Sequence, residues 1–265
     1  MKLFPALSRF LLVAAATAVP AQTPLRIAAA ADLEPVLPPL LQQFEKTTGI
    51  HAEATFQASA ALTTQIQNGA PFDVFLSADL GYPRKLIAAG LAEGLGDGNT
   101  GSPITYARGT LVLWTRKDAH LPPPSLDLLG NPGLKRLAIA NPDRAPYGKA
   151  AVAALQKLGL YDALSPRFVV AENISQTAQF VDSGNADAGL ISLTSAKTPR
   201  LASDGQYFVV PAGLYPPIEQ GAVLVSKTQQ SVAARKFLVF LMSAPIQEQI
   251  QKFGLTPGRP VPSAR

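Results

Sequence analysis

Short apolar runs alternate with amphipathic segments along the first part of the chain. Residues 25–30 form an apolar run of strand length, and apolar residues then recur at helical spacing from Leu33 to Thr47. Residues 51–56 alternate between apolar and polar, and the run 74–77 is apolar throughout. A helix is predicted between these two strands, over about 59–68. The order strand, helix, strand is typical of βαβ units with parallel strands.

The same alternation begins again near residue 110 and continues to the end of the chain. Strands are predicted over 110–115, 137–140, 168–170, 188–192, 207–210 and 222–225, and helices over 147–157, 175–183 and about 231–253. Two successive halves predict an α/β protein of two lobes, each a mostly parallel sheet flanked by helices. The first lobe is predicted to comprise 22–105 and 217–265, and the second 106–216, with crossings near 104–112 and 216–225.

The first 21 residues have the pattern of a secretory signal peptide. Lys2 and Arg9 precede an apolar run that is too short to span a membrane, and Val19-Pro20-Ala21 offers small residues for cleavage. We therefore expect a soluble protein exported to the periplasm. The chain has no cysteine, which excludes disulfides, zinc–thiolate sites, thiol nucleophiles and a lipid-anchored cysteine.

The formal charge of +5 comes from scattered basic residues, with no run of five or more. This pattern indicates an ordinary solvated surface and not a nucleic-acid interface. We expect no nucleic-acid partner.

Four predicted helices begin directly after strands, at residues 30–32, 58–60, 146–148 and 173–175. Ligands of open α/β sheets bind at such junctions, where the first N–H groups of a helix are unpaired and carry a partial positive charge. The Ser59 hydroxyl and the Tyr147 phenol add donors, although Ser59 at this position is equally typical of a helix cap. None of the junctions contains Arg or Lys. A cleft between the lobes would therefore offer neutral donors to an anion.

Asp32 is the one junction residue that does not suit an anion site. A carboxylate about 4 Å from a dianion would cost on the order of 8 kcal/mol at an effective dielectric constant of 20. One interpretation is that Asp32 caps the helix that starts at Leu33, with its side chain turned away from the cleft. The other is that Asp32 accepts a proton from a protonated anion, as in a phosphate receptor.

Several segments resemble the periplasmic molybdate-binding proteins of ATP-driven (ABC) importers. They are Ile27-Ala-Ala-Ala-Ala-Asp-Leu, Gly69-Ala-Pro-Phe-Asp-Val-Phe-Leu-Ser-Ala-Asp, Ala138-Ile-Ala-Asn-Pro-Asp-Arg-Ala-Pro-Tyr-Gly-Lys, Ala171-Glu-Asn-Ile-Ser and Gly254-Leu-Thr-Pro. The resemblance covers nearly all of the chain after the leader. It implies a two-lobed fold of the type II periplasmic-binding-protein kind, which closes on a tetrahedral oxyanion in the cleft between the lobes.

The resemblance also implies which groups bind the oxyanion. The donors are the N–H groups of Ala31, Ala60, Tyr147 and Ile174, the Ser59 hydroxyl and the Tyr147 phenol. Two departures matter: many members of the family have Ser or Thr where this chain has Ala31, and some have Tyr where it has Ser192. Asp32 and Ser192 are therefore secondary candidates.

We thus predict a monomeric receptor that captures molybdate, and also tungstate, and delivers it to the membrane permease of an ABC transporter. No catalytic residue or cofactor is expected, and the only metal is the one inside the oxyanion. Asp32 and Ala31 leave open a receptor for another tetrahedral oxyanion, such as sulfate or phosphate. An exported α/β hydrolase is disfavoured because the chain lacks a Gly-x-Ser-x-Gly elbow, a cysteine and a carboxylate pair.

Overall fold

The computed structural model describes residues 23–96 and 101–258, so the predicted signal peptide, residues 1–21, lies outside the described residues. The strands are β1 (Leu25–Ala30), β2 (Ala52–Gln57), β3 (Val74–Ser77), β4 (Ala92–Glu93), β5 (Ile104–Gly109), β6 (Leu111–Arg116), β7 (Leu137–Ala140), β8 (Phe168–Ala171), β9 (Ala188–Ser192), β10 (Gly205–Val209), β11 (Ile218–Val225) and β12 (Thr256–Pro257). They form two sheets. The first has the order β12-β5-β11-β3-β1-β2, with β4 also paired to β11, and the second has the order β10-β6-β9-β7-β8.

The helices lie between these strands and after the last long one. They are α1 (Leu37–Thr48), α2 (Ser59–Gln67), α3 (Gly81–Ala88), α4 (Pro146–Lys157), α5 (Tyr161–Leu164), α6 (Ile174–Asp182), α7 (Leu193–Ala196), α8 (Pro199–Asp204), α9 (Ser231–Met242) and α10 (Ala244–Lys252). We call the first sheet with its helices the first lobe, and the second sheet with its helices the second lobe.

Prolines divide two helices that the apolar spacing predicts to be continuous. The segment after β1 starts as a 3-10 turn, Ala31–Leu33, and α1 begins only at Leu37, with Pro38 in its first turn. The C-terminal helix breaks at Ser243, which precedes α10 and its Pro245. Proline lacks an N–H and restricts the residue before it, so it is accommodated in the first turn of a helix and not in the interior.

Each sheet is mixed and not mostly parallel. β1 is parallel to β2 and β3, and β7 is parallel to β8 and β9, as the βαβ pattern predicts. β11 is antiparallel to β3 and β5, and β6 is antiparallel to β9 and β10. These antiparallel strands are the ones next to the crossings between lobes. A buried strand has the same apolar sequence pattern whether it pairs parallel or antiparallel to its neighbour. The hydrophobic periodicity therefore did not predict the direction of these strands.

The chain changes sheet at two places. It leaves the first sheet after Gly109 and enters the second at Leu111, and it returns between Val209 and Ile218. The sequence division put the first boundary after residue 105, whereas β5 continues the first sheet to Gly109. The division of the chain into lobes at 105/106 and 216/217 stays a prediction.

Each lobe has its own apolar core, and small apolar residues also pack between the two lobes. Phe44 on α1 packs edge-on against Phe237 on α9, with ring centroids 5.4 Å apart, in the core of the first lobe. Small residues of the first lobe, Ala30, Ala31 and Ala78, pack into the core cluster of the second. The carboxyl ends of β1 and β3 therefore lie directly against the second lobe.

Candidate functional site

All four strand–helix junctions line one gap between the lobes. Its lining residues are Ala30, Ala31, Asp32, Gln57, Ala58, Ser59, Ala78, Ala145, Pro146, Tyr147, Asn173 and Ile174, and the cavity between them has a volume of about 10 Å³. Among the described residues that line the gap, none is Lys or Arg. The gap therefore combines several helix starts with neutral donors, which suits a small anion.

A larger cavity of about 740 Å³ lies at the opposite end of the first sheet. Its lining includes Arg26 and Asp73, where β1 and β3 begin, and it contains none of the four junctions. Ligands of open α/β sheets bind beyond the carboxyl ends of the strands, because the helix starts point there. We therefore take the smaller gap as the candidate site.

Ser59 is the first residue of α2 and is almost completely buried. Its side-chain oxygen accepts a hydrogen bond from the Ala78 N–H at 3.1 Å, which joins the start of α2 to the end of β3. Ala58 and not Ser59 is the residue that precedes the first turn, and no side chain caps this helix. A hydroxyl has one donor as well as its acceptor lone pairs. The Ser59 hydrogen thus remains to donate into the gap, as an anion ligand would require.

Three of the predicted N–H donors also lie at the gap. Ala31 opens the 3-10 turn after β1, Tyr147 lies in the first turn of α4, and Ile174 opens α6. The Asn173 side chain caps α6 by accepting the Gln176 N–H at 2.9 Å, which leaves the Ile174 N–H unused by that cap. The three N–H groups stay predicted anion donors.

Two further candidates have other partners. The Ala60 N–H donates to the backbone oxygen of Arg144 in the second lobe at 3.2 Å, and this bond must open before the N–H can reach an anion. Ser192 caps α7: its hydroxyl oxygen accepts the Ser195 N–H at 3.2 Å and lies 2.8 Å from the Thr194 hydroxyl. Neither residue is among those that line the gap. A serine at the end of a strand has the same sequence pattern whether it binds a ligand or caps a helix.

The interpretation of Asp32 as a helix cap is wrong. Its side chain makes no cap and is fully buried. The carboxylate accepts hydrogen bonds from the Tyr147 phenol, at 3.0 Å, and from the side-chain amide of Gln220. The Asp32 backbone oxygen accepts the Thr194 hydroxyl at 2.8 Å. Asp32 therefore links both lobes, and the Tyr147 phenol that was predicted to reach the anion is bonded to Asp32 instead.

Burial dominates the electrostatics of this contact. It raises the pKa of Asp32 from 3.8 to about 6, although the hydrogen bonds from Gln220 and Tyr147 favour the charged form and oppose the rise. Burial, followed by the nearby Asp32 charge, holds the pKa of Tyr147 well above its ordinary value. Tyr147 is therefore a neutral donor throughout the physiological pH range.

The sequence reasoning missed Gln220 and Thr194, which both contact Asp32. Gln220 is fully buried in β11, between the partly exposed Glu219 and the apolar residues 222–225. Because two polar residues stand side by side there, the sequence did not show which of them has a buried partner. Nothing in the local sequence distinguishes Thr194 from an ordinary helix-start threonine.

Gly109 leaves room for the Tyr147 phenol at the first crossing. A Cβ atom added to Gly109 would lie 2.2 Å from the Tyr147 hydroxyl oxygen and 3.3 Å from the Gln220 amide nitrogen. The glycine at the end of β5 therefore allows Tyr147 and Gln220 to meet at Asp32.

The profile of one protein family, described as "Bacterial extracellular solute-binding protein", matches residues 25–256. The chain belongs to this family. It is 38% identical to the molybdate-binding protein ModA of Azotobacter vinelandii, with 96% of each chain covered. It is also 38% identical to the ModA protein of Rhodobacter capsulatus, over 80% of this chain and 79% of that protein.

A solved structure shows the same fold. The periplasmic molybdate-binding protein of Azotobacter vinelandii superposes with a TM-score of 0.81 and 33% sequence identity, over 89% of this chain and all of that one. The predicted type II two-lobed fold and the resemblance to periplasmic molybdate-binding proteins are confirmed. Solute-binding proteins of this family are receptors and not enzymes, so the prediction of a binding function is also confirmed. Within the described residues, no helix has the length and hydropathy needed to cross a membrane.

Proposed function

We propose that this solute-binding protein captures molybdate, and also tungstate, in the gap between its lobes and delivers it to the permease of an ABC transporter. The similarity to two ModA proteins supports the ligand class. The observation that carries the proposal is the convergence of helix starts from both lobes on one gap that none of the described Lys or Arg residues lines.

The gap can hold a dianion without a counter-ion because its donors are fixed before the anion arrives. In this proposal the Ser59 hydroxyl and the N–H groups of Ala31, Tyr147 and Ile174 donate to the anion, and each charge-assisted hydrogen bond contributes about 1.5–3 kcal/mol. Molybdate and sulfate carry the same charge, so only cavity size and donor geometry can separate them. Movement about the crossings at 109–111 and 209–218 would close the lobes over the anion.

Titration calorimetry with four anions tests this function. We expect molybdate and tungstate to bind and to displace each other, while sulfate and phosphate compete poorly. Tighter binding of sulfate or phosphate would support a receptor for another oxyanion. A screen with generic ester and phosphoester substrates should show no turnover, since a hydrolase would need a nucleophile bonded to a general base, whereas the Ser59 side-chain oxygen is bonded to the Ala78 N–H.

We also propose that the protein is exported to the periplasm as a monomer after cleavage near residue 22. The relative from Azotobacter vinelandii is described as periplasmic, which supports this location. N-terminal sequencing of the protein recovered from a periplasmic extract would locate the cleavage, and light scattering would give its mass. An uncut leader or a dimer mass would contradict the respective part of the proposal.

Tyr147→Phe should weaken molybdate binding about two- to tenfold. The change removes the hydrogen bond to Asp32 that joins the lobes, worth about 0.5–1.5 kcal/mol, and keeps the Tyr147 N–H at the gap. The control is Tyr161→Phe, which removes the hydroxyl of a partly buried tyrosine whose ring packs against Phe168 within the second lobe. We expect the control to bind as the wild type does in titration calorimetry. Equal affinities for all three proteins would show that the Tyr147 phenol does not help to hold the lobes closed.

A further inference from the structure

Two buried oxygen atoms beside the gap have no hydrogen-bond partner. They are Oδ1 of Asp32 and Oε1 of Gln220, and among the described residues they are the only buried side-chain polar atoms in this condition. Both residues are fully buried, and they already share one hydrogen bond, from Gln220 Nε2 to Asp32 Oδ2. Buried acceptors are nearly always paired, because an unpaired one loses its hydration without compensation.

A single proton would satisfy both atoms. A protonated carboxyl group has an O–H donor, whereas a carboxylate has only acceptors. A carboxylic acid and a primary amide can pair through two hydrogen bonds, N–H to one carboxyl oxygen and O–H to the amide oxygen. The structure shows the first of these bonds, and the two unpaired oxygens are the atoms that the second would join.

We propose that Asp32 carries a proton on Oδ1, donates it to Gln220 Oε1, and so presents a neutral acid–amide pair to the anion in the closed gap. Anion binding then takes up a proton at Asp32. This inference rests on the proposed function and concerns the same site. Asp32 acts as a positioning residue: it holds Tyr147 and Gln220 together and leaves the anion to the N–H and hydroxyl donors.

The surroundings of Asp32 favour the neutral acid. The phenols of Tyr147 on α4 and Tyr106 on β5 and the Gln220 amide on β11 face its side chain. The Thr194 hydroxyl, on α7, donates to its backbone oxygen. Among these described neighbours none is a cation, so only the hydrogen bonds from Gln220 and Tyr147 offset a buried negative charge. Burial alone raises the pKa of Asp32, and a bound dianion would raise it further.

The direction of the pH dependence follows from the two states of the cleft. In an open cleft, water reaches Asp32 and its pKa returns towards the ordinary value near 3.9. In the closed, anion-bound state the pKa is raised, so closure takes up a proton when the pH lies between the ordinary pKa and the raised one. Affinity is therefore full below the ordinary pKa and falls as the pH rises through the pKa of the closed state.

Calorimetric titration with molybdate from about pH 5 to about pH 8 tests this inference on the whole protein and on Asp32→Asn. The asparagine keeps the shape of the side chain and can donate an N–H to Gln220 Oε1 without a proton from solvent. We expect the wild type to bind about tenfold more weakly at the top of this range than at the bottom, and Asp32→Asn to bind equally across it. Titration of the ligand itself affects both proteins alike, so the difference between the two profiles reports Asp32.

Glu34→Gln is the matched control. Glu34 is an exposed carboxylate two residues further along, which accepts a hydrogen bond from the Ser175 hydroxyl of the second lobe and is not among the residues that line the gap. Its removal should leave the slope of the wild-type pH profile unchanged. Loss of the slope in this variant would assign the proton to Glu34 and overturn the inference.

Wild-type titrations in buffers of different ionisation enthalpy give a second readout, the number of protons taken up on binding. Proton uptake that is absent in Asp32→Asn supports the inference. Parallel pH profiles, no proton uptake by the wild type, or loss of binding in an Asp32→Asn protein that melts as the wild type does would each overturn it. Failure of the wild type to bind molybdate at any pH would instead refute the proposed function.

Discussion

Replacing Ser59 with alanine should weaken molybdate binding by about ten- to a hundredfold. The wild-type hydroxyl oxygen accepts the Ala78 N–H at 3.1 Å, which positions it beside the gap and leaves its hydrogen free to donate to an anion. The variant loses one charge-assisted hydrogen bond, worth about 1.5–3 kcal/mol, and gains no compensating contact. Titration calorimetry against molybdate measures the change directly.

The control for Ser59→Ala is Thr64→Ala, on the same helix. The Thr64 hydroxyl donates to the Ala60 oxygen at 3.1 Å on the exposed side of α2, away from the gap. The control should bind molybdate as the wild type does. Unchanged affinity in Ser59→Ala would remove this hydroxyl from the site, while equal losses in both variants would indicate damage to α2 and not to the anion contact.

Gly148→Ala should lower both the stability of the protein and its affinity for molybdate. A Cβ atom on Gly148 would lie 2.2 Å from the Ala140 backbone oxygen and 2.8 Å from its carbonyl carbon, at the end of β7. These are backbone atoms that cannot rotate away, so the start of α4 must shift. Overpacking of this kind costs about 1–3 kcal/mol of unfolding free energy.

The same shift displaces the Tyr147 N–H, which belongs to the first turn of α4. We therefore expect affinity to fall by about ten- to a hundredfold, the worth of one charge-assisted hydrogen bond. Thermal melting and calorimetry measure the two effects. Gly130→Ala is the control, because a Cβ atom there meets nothing within 4 Å. A Gly148→Ala protein with wild-type affinity would show that the position of α4 does not set the anion site.

Local patterns were sufficient to predict the elements that carry the site. The apolar runs give β1, β3, β7 and β9 with the limits that the structure shows, since a buried strand is defined by its own residues. They also place helix starts after β1, β2, β7 and β8, the four junctions that meet at the gap. The helix boundaries were less well predicted, because the prolines near Leu37 and Ser243 divide segments whose apolar spacing continues across the break.

The partners of individual polar side chains depended on the tertiary structure. Asp32 meets Tyr147 and Gln220, which are 115 and 188 residues away in sequence, and no local pattern links these positions. The direction of β11 relative to β3 likewise depends on how the chain returns from the second lobe.

The sequence by itself thus determined the α/β class, the two halves, the junctions without Arg or Lys, and the family. The tertiary structure alone decided that Asp32 is buried at the contact between the lobes, bonded to a phenol and an amide. The physical reason is that apolar periodicity records whether a residue is buried, whereas the protonation and pairing of a buried polar group depend on which distant residues surround it.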